Sequence, residues 1–161
     1  MTWKLKATIA ATLLAALVLT VIPMPKWISS WRPDWLAMAA IWWNIHRPGT
    51  FNVGSSWASG LLLDVLNATW LGQHALALTI TSYFAVRINL QFKMFSLIQQ
   101  TLLALAIMSL YRILLFWLYS LAGVDVSAAS HWNPLLAELL LWPWLSFVLG
   151  EVIRHSAEEK S

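Results

Sequence analysis

Between Val53 and Val86 the chain runs for 34 residues with a single charged side chain, Asp64. As one helix that run would reach about 51 Å at 1.5 Å per residue. A helix crosses the roughly 30 Å of bilayer hydrocarbon with about 20 residues. The run is therefore expected to reverse on itself, and the polar, glycine-containing stretch from Asn67 to Gln73 is the predicted turn. One carboxylate is then left inside a pair of apolar helices, where it needs partners.

The composition fits a lipid solvent. Hydrophobic residues make up 60% of the 161 residues and charged ones 11%, against roughly 25% charged in ordinary soluble domains. Too little polar surface is left to cover a water-soluble sphere. The net charge of +3 does not point to nucleic acid, because the ten Lys and Arg are scattered and form no run. There are no cysteines, hence no disulfide framework and no thiol chemistry.

Charged residues, prolines and glycines divide the chain into six apolar segments, with expected spans at 7–24, 33–46, 53–70, 74–88, 96–121 and 134–151, in one polytopic domain, 1–161. The first follows Lys4 and Lys6 as a secretory signal does. With no small-x-small cleavage site before Pro23-Met24-Pro25, it is expected as an uncleaved span. The second is short, 14 residues from Pro33 to His46, or about 21 Å. It requires snorkelling of Arg32 and Arg47, local thinning, or burial against neighbours. Interrupted segments also occur at transporter binding sites, the other reading of this stretch.

Six spans with the N-terminus inside put Lys4, Lys6, Arg47, Arg87, Lys93, Arg154 and Lys160 on the cytoplasmic side and only Lys26 and Arg32 outside, the asymmetry that short loops of inner-membrane proteins carry. The expected topology is N-in, C-in. Tryptophans 27, 31, 35, 70, 132 and 142 fall near predicted outer ends, as an aromatic belt or as the scatter of a Trp-rich chain.

Connections of a dozen residues or fewer offer no room for a soluble domain. The sequence carries no Gly-rich phosphate loop, HExxH, paired cysteines or GxSxG, so no catalytic, cofactor-binding or metal-binding residue is assigned. His46, His74, His131 and His155 are isolated near segment ends and are expected at the interface rather than on a metal. Glu158-Glu159-Lys160 reads as a solvated tail.

On a helix Ser56, Gly60 and Asp64 recur at four-residue spacing, with Asn67 three further on, all on one face. Small residues at that spacing admit a neighbouring helix. The stripe is a seam, within the molecule or with a partner. A carboxylate facing lipid costs about 2.5–3.5 kcal/mol even on lenient scales, so Asp64 points inward. Arg112, the one Arg inside a long apolar run, is its expected cation, with Glu138 competing for that Arg. Ser56, Gly60, Asp64, Asn67, Arg112 and Glu138 thus form the expected polar cluster or partner seam. A proton relay needs a longer chain of titratable groups than these supply.

Arg32-Pro33-Asp34-Trp35-Leu36, the Trp42-Trp43 pair, Arg47-Pro48, Val53-Gly54, Gly60 through Asp64, Leu71-Gly72 with Ala75-Leu76, and the closing Leu141-Trp142-Pro143-Trp144 together resemble the MreD family of rod shape-determining integral membrane proteins. Ser56 stands where that family often has glycine, and Glu138 where it often has an uncharged polar residue. The resemblance implies a fold similar to the six-helix S-components of energy-coupling transporters, and a non-catalytic scaffold of the cell-elongation machinery in the inner membrane. It implies direct association with MreC and, through MreC, with MreB, RodA and the elongation-specific transpeptidase. The competing expectation is an S-component-like small-molecule carrier, for which Asn67, Gln73, His74, His131 and Asn133 could furnish polar groups.

Overall fold

The computed structural model describes residues 2–158. Glu159 and Lys160 of the expected tail lie outside the described residues. Every element is a helix, and no strand occurs among the described residues: α1 (Thr2–Val21), α2 (Lys26–Ser29), α3 (Trp35–His46), α4 (Val53–Leu66), α5 (Gln73–Arg87), α6 (Asn89–Phe92), α7 (Leu97–Leu121) and α8 (Ala128–Glu158).

Helix boundaries follow local chemistry. Before α4, Asn52 Oδ1 accepts the Gly54 and Ser55 backbone N–H groups at 3.1 and 3.3 Å, satisfying donors that the first turn leaves free. Ser96 and Gln99 form a capping box at the start of α7. Helix α1 ends at Val21, before the Pro23-Met24-Pro25 break. The 53–86 run does reverse, with α4 and α5 separated by residues 67–72. Helix α8 starts at Ala128, ahead of the expected 134, and carries Pro134 and Pro143 inside it. Each proline forfeits one main-chain hydrogen bond, a loss that long apolar helices tolerate when neighbours and local adjustment re-satisfy the freed groups.

Among the described residues three helices are long and apolar enough to cross a membrane: Trp3–Val21, Leu97–Leu121 and Ala128–His155. Their outer faces are apolar, with Leu14, Val18, Leu102, Trp117, Leu140 and Phe147 exposed. Contiguous apolar surface of this kind suits acyl chains rather than water.

The 12-residue α3 sits at the centre of the molecule. Leu36 through Ile45 are each no more than 2% exposed, and α3 touches α1, α4, α5, α6, α7 and α8. A helix that is apolar on every side is stable when enclosed. Of the ways a short segment could be accommodated, burial by neighbours is the one this chain uses. Trp42, Trp43, Tyr111 and Phe92 fill the space around it. Trp142, expected near an outer interface, is a core residue at 2% exposure.

Candidate functional site

Asp64 lies two residues before the end of α4 and is fully buried. The turn after it brings the start of α5 back alongside, with Gly72 at φ +104°, a backbone conformation that glycine adopts without steric cost. Gly72 is the N-cap of α5 and has no side chain to cap with. The Asp64 carboxylate does that work from the preceding helix. Its Oδ2 accepts the backbone N–H of Gly72 at 2.8 Å and of Ala75 at 3.3 Å, and its Oδ1 accepts that of His74 at 2.9 Å. Oδ1 also accepts the His74 ring Nδ1–H at 2.8 Å and the Thr69 hydroxyl at 3.1 Å. A carboxylate offers about four lone-pair sites, and all are taken by the protein. An anion at a helix N-terminus is favoured by the free amides and the helix dipole together. His74 then reaches α7 through Nε2, 3.4 Å from the Tyr119 hydroxyl.

The same α4 face is closed against α5 and α3. A Cβ on Gly60 would stand 2.4 Å from Ala75 Cα and 2.6 Å from Ala75 N, so only glycine allows this approach of α4 to α5. One turn away Asn44 of α3, fully buried, points its Nδ2 at Ala40 O (2.7 Å), Ser56 Oγ (2.7 Å) and Ser82 Oγ (3.0 Å). Asn44 thereby joins α3, α4 and α5 at one polar point.

A second ionic cluster joins α3, α7 and α8. Arg112 donates from Nη2 to Asp34 Oδ2 at 2.9 Å and to Glu138 Oε1 at 2.5 Å, and from Nη1 to the His131 carbonyl at 2.9 Å. Its own carbonyl accepts the His131 ring Nε2–H at 2.8 Å. Glu138 Oε1 also accepts the Asp34 backbone N–H at 3.2 Å, which ties the start of α3 into the cluster. Two carboxylates thus face one guanidinium; Glu138 is almost fully enclosed and Asp34 is 28% exposed. Among the described residues no three His, Cys, Asp or Glu side chains gather as metal ligands.

Several expectations need correction. Asp64 and Arg112 are not partners: Arg112 takes Asp34 and Glu138, and Asp64 takes the start of α5. The physical reason is that the reversal after α4 sets three amides and an imidazole within hydrogen-bond distance of Asp64 and occupies its lone pairs. Asn67 caps the end of α4 and is exposed, apart from the face shared by Ser56, Gly60 and Asp64. His74 and His131, expected at the interface, are 4% and 6% exposed and hydrogen-bonded inside the protein. Asp34, Asn44, His74 and His131 were absent from the expected cluster. Asn44 was detectable as the lone amide inside the second apolar segment; Asp34, at the outer start of that segment beside Arg32, carried no such sign.

The family model for the rod shape-determining protein MreD matches residues 2–152. The chain belongs to the MreD family. Among curated proteins it is 30% identical over 151 residues to the rod shape-determining protein MreD of Haemophilus influenzae (strain ATCC 51907 / DSM 11121 / KW20 / Rd), covering 91% of each chain. No solved structure matches. MreD is a family of membrane proteins that determine rod shape, and this member shares that role.

Proposed function

We propose that this MreD-family protein is a non-catalytic scaffold of the cell-elongation machinery in the inner membrane, holding MreC directly and, through it, MreB, RodA and the elongation-specific transpeptidase. In this reading it maintains rod shape by keeping peptidoglycan synthesis on the lateral wall. The observation that carries the proposal is the match to the MreD family over nearly the whole chain. Site chemistry supports it. The buried charges are engaged with helix ends and with each other, the arrangement of fastenings in a rigid body rather than of groups waiting for a reactant.

The same reading has six crossings, N-in and C-in, in an arrangement similar to S-components. Three long helices, α1, α7 and α8, stand with three short ones of 12, 14 and 15 residues, and Leu36 through Ile45 of α3 lie wholly inside. Support comes from the cations. Lys4, Lys6, Arg47, Arg87, Lys93 and Arg154 fall at helix ends that alternate in chain order, as the positive-inside rule requires of cytoplasmic ends. A carrier function has less support, because His74 and His131 are engaged in internal hydrogen bonds.

Two experiments test the reading. Crosslinking in native membranes followed by purification is expected to recover MreC in stoichiometric amount, whereas a retained small molecule and no MreC would favour the carrier. Depletion is expected to widen rods into spheres. Rods of unchanged width after complete depletion, with no paralogue present, remove the shape role.

A further inference from the structure

Where α3 ends, a cavity of about 370 Å³ opens between Trp42, His46 and Arg47 on one side, Lys93 after α6, and Ser146 and Gly150 of α8. Among the described residues no acidic side chain lines it. Most of its polar side chains are hydrogen-bond donors. Arg47 and Lys93 have no ion pair among the described residues. Trp42, 1% exposed, has a buried indole N–H with no hydrogen-bond partner. That atom is closed off from solvent, so Trp42 presents only apolar ring to the cavity. His46 stacks on Trp42 with ring centroids 4.0 Å apart and bonds the Trp42 carbonyl through Nδ1, which leaves Nε2 unengaged.

The ordinary explanation for cations here is that they offset the negative end of the α3 dipole. Three carbonyls near the end of α3 already have other donors, however: Trp42 O has His46, Trp43 O the Arg47 backbone N–H, and Ile45 O Asn89 Nδ2. The exposed Arg47 guanidinium and Lys93 ammonium therefore border one space with room for a polyatomic anion.

We propose that this cavity binds a phosphate group, as carried by the headgroup of an anionic phospholipid. Phosphate oxygens accept hydrogen bonds from Arg47 and Lys93 at once, and basic pockets between membrane helices take such headgroups. The apolar Trp42 ring and the bare Gly150 backbone provide a wall against which a lipid's glycerol region can lie. A soluble phosphate has the same acceptor chemistry, so the test separates the two sources. The inference depends on the membrane location alone and not on association with MreC.

The test uses the full-length protein in detergent. Phosphatidylglycerol, phosphatidylcholine and inorganic phosphate are each titrated, with retained adducts read by native mass spectrometry and melting by thermal shift. Two variants are compared with wild type. Arg47→Gln with Lys93→Gln removes the cations. Gly150→Phe fills the cavity at a position where an added Cβ meets nothing within 4 Å. Wild type is expected to retain phosphatidylglycerol and to melt later with it than with phosphatidylcholine. Both variants are expected to bind it at least ten-fold more weakly, with unchanged melting in phosphatidylcholine. A shift produced by inorganic phosphate, with none added by lipid, upholds the phosphate site and assigns it a soluble ligand. Equal binding by wild type and the charge variant, or no response of wild type to either phosphate source, overturns the proposal. If Gly150→Phe fails to accumulate, the charge variant decides alone.

Discussion

Asp64 holds His74 twice, accepting both the ring Nδ1–H at 2.8 Å and the backbone N–H at 2.9 Å of a residue ten positions later in the chain. That double bond of side chain to side chain and side chain to main chain makes the α4–α5 reversal a fixed corner. It also explains how an ion survives in an apolar run: buried charge is tolerated when every lone pair is engaged.

Replacing Asp64 therefore strands several donors at once. Asp64→Leu leaves the Gly72, His74 and Ala75 amides without their acceptor, and each unsatisfied buried group costs about 1–3 kcal/mol. Asp64→Asn keeps one acceptor oxygen and is expected to lose less. Steady-state membrane level and melting in detergent should rank wild type, Asn and Leu in that order. A Leu variant that melts like wild type removes the capping role.

Gly60 tests the closeness of α4 and α5. Gly60→Ala pushes a methyl group to within 2.4 Å of the Ala75 backbone, which cannot rotate away, and overpacking of this kind costs about 1–3 kcal/mol. Gly49→Ala, where an added Cβ meets nothing, is the control. Thermal melting of the two proteins side by side is expected to separate them, with only the Gly60 variant shifted down.

Arg112 distinguishes the observed partner from the expected one. Arg112→Leu leaves Glu138 enclosed beside Asp34 with no cation, and breaking one side of a buried pair costs about 3–5 kcal/mol. Adding Glu138→Leu is expected to recover much of that loss. Adding Asp64→Leu is not, because Asp64 shares no hydrogen bond with Arg112 and its effect adds to that of Arg112→Leu. A double-mutant cycle on melting temperature reads the difference. Coupling of Arg112 to Asp64 as strong as to Glu138 would contradict the structure.

Topology is open to cysteine labelling, since the protein has no native cysteine. Ser29→Cys and Ser127→Cys are expected to react with an impermeant thiol reagent applied outside intact cells, and Gln91→Cys and His155→Cys only after permeabilisation. All four positions are exposed. Labelling at His155 in intact cells overturns the even number of crossings.

The chain's solvent, its all-helical character and the reversal after Asn67 were legible in residue order, because each follows from a one-dimensional quantity: the length of an apolar run, the scarcity of charge, the placement of Pro and Gly. The common face of Ser56, Gly60 and Asp64 followed from helical periodicity alone. Ion partners did not. Rise per residue gives a depth along one helix but no rotation about it and no distance to the next, so Asp64 and Arg112 looked like neighbours. Helix rotation and the path of the turn gave Asp64 to the start of α5. They also set Arg112 between Glu138 on α8 and Asp34, which residue order places only at the start of the second expected span. The burial of α3 is of the same kind: its short apolar sequence suits several environments, and enclosure by six other helices chose among them.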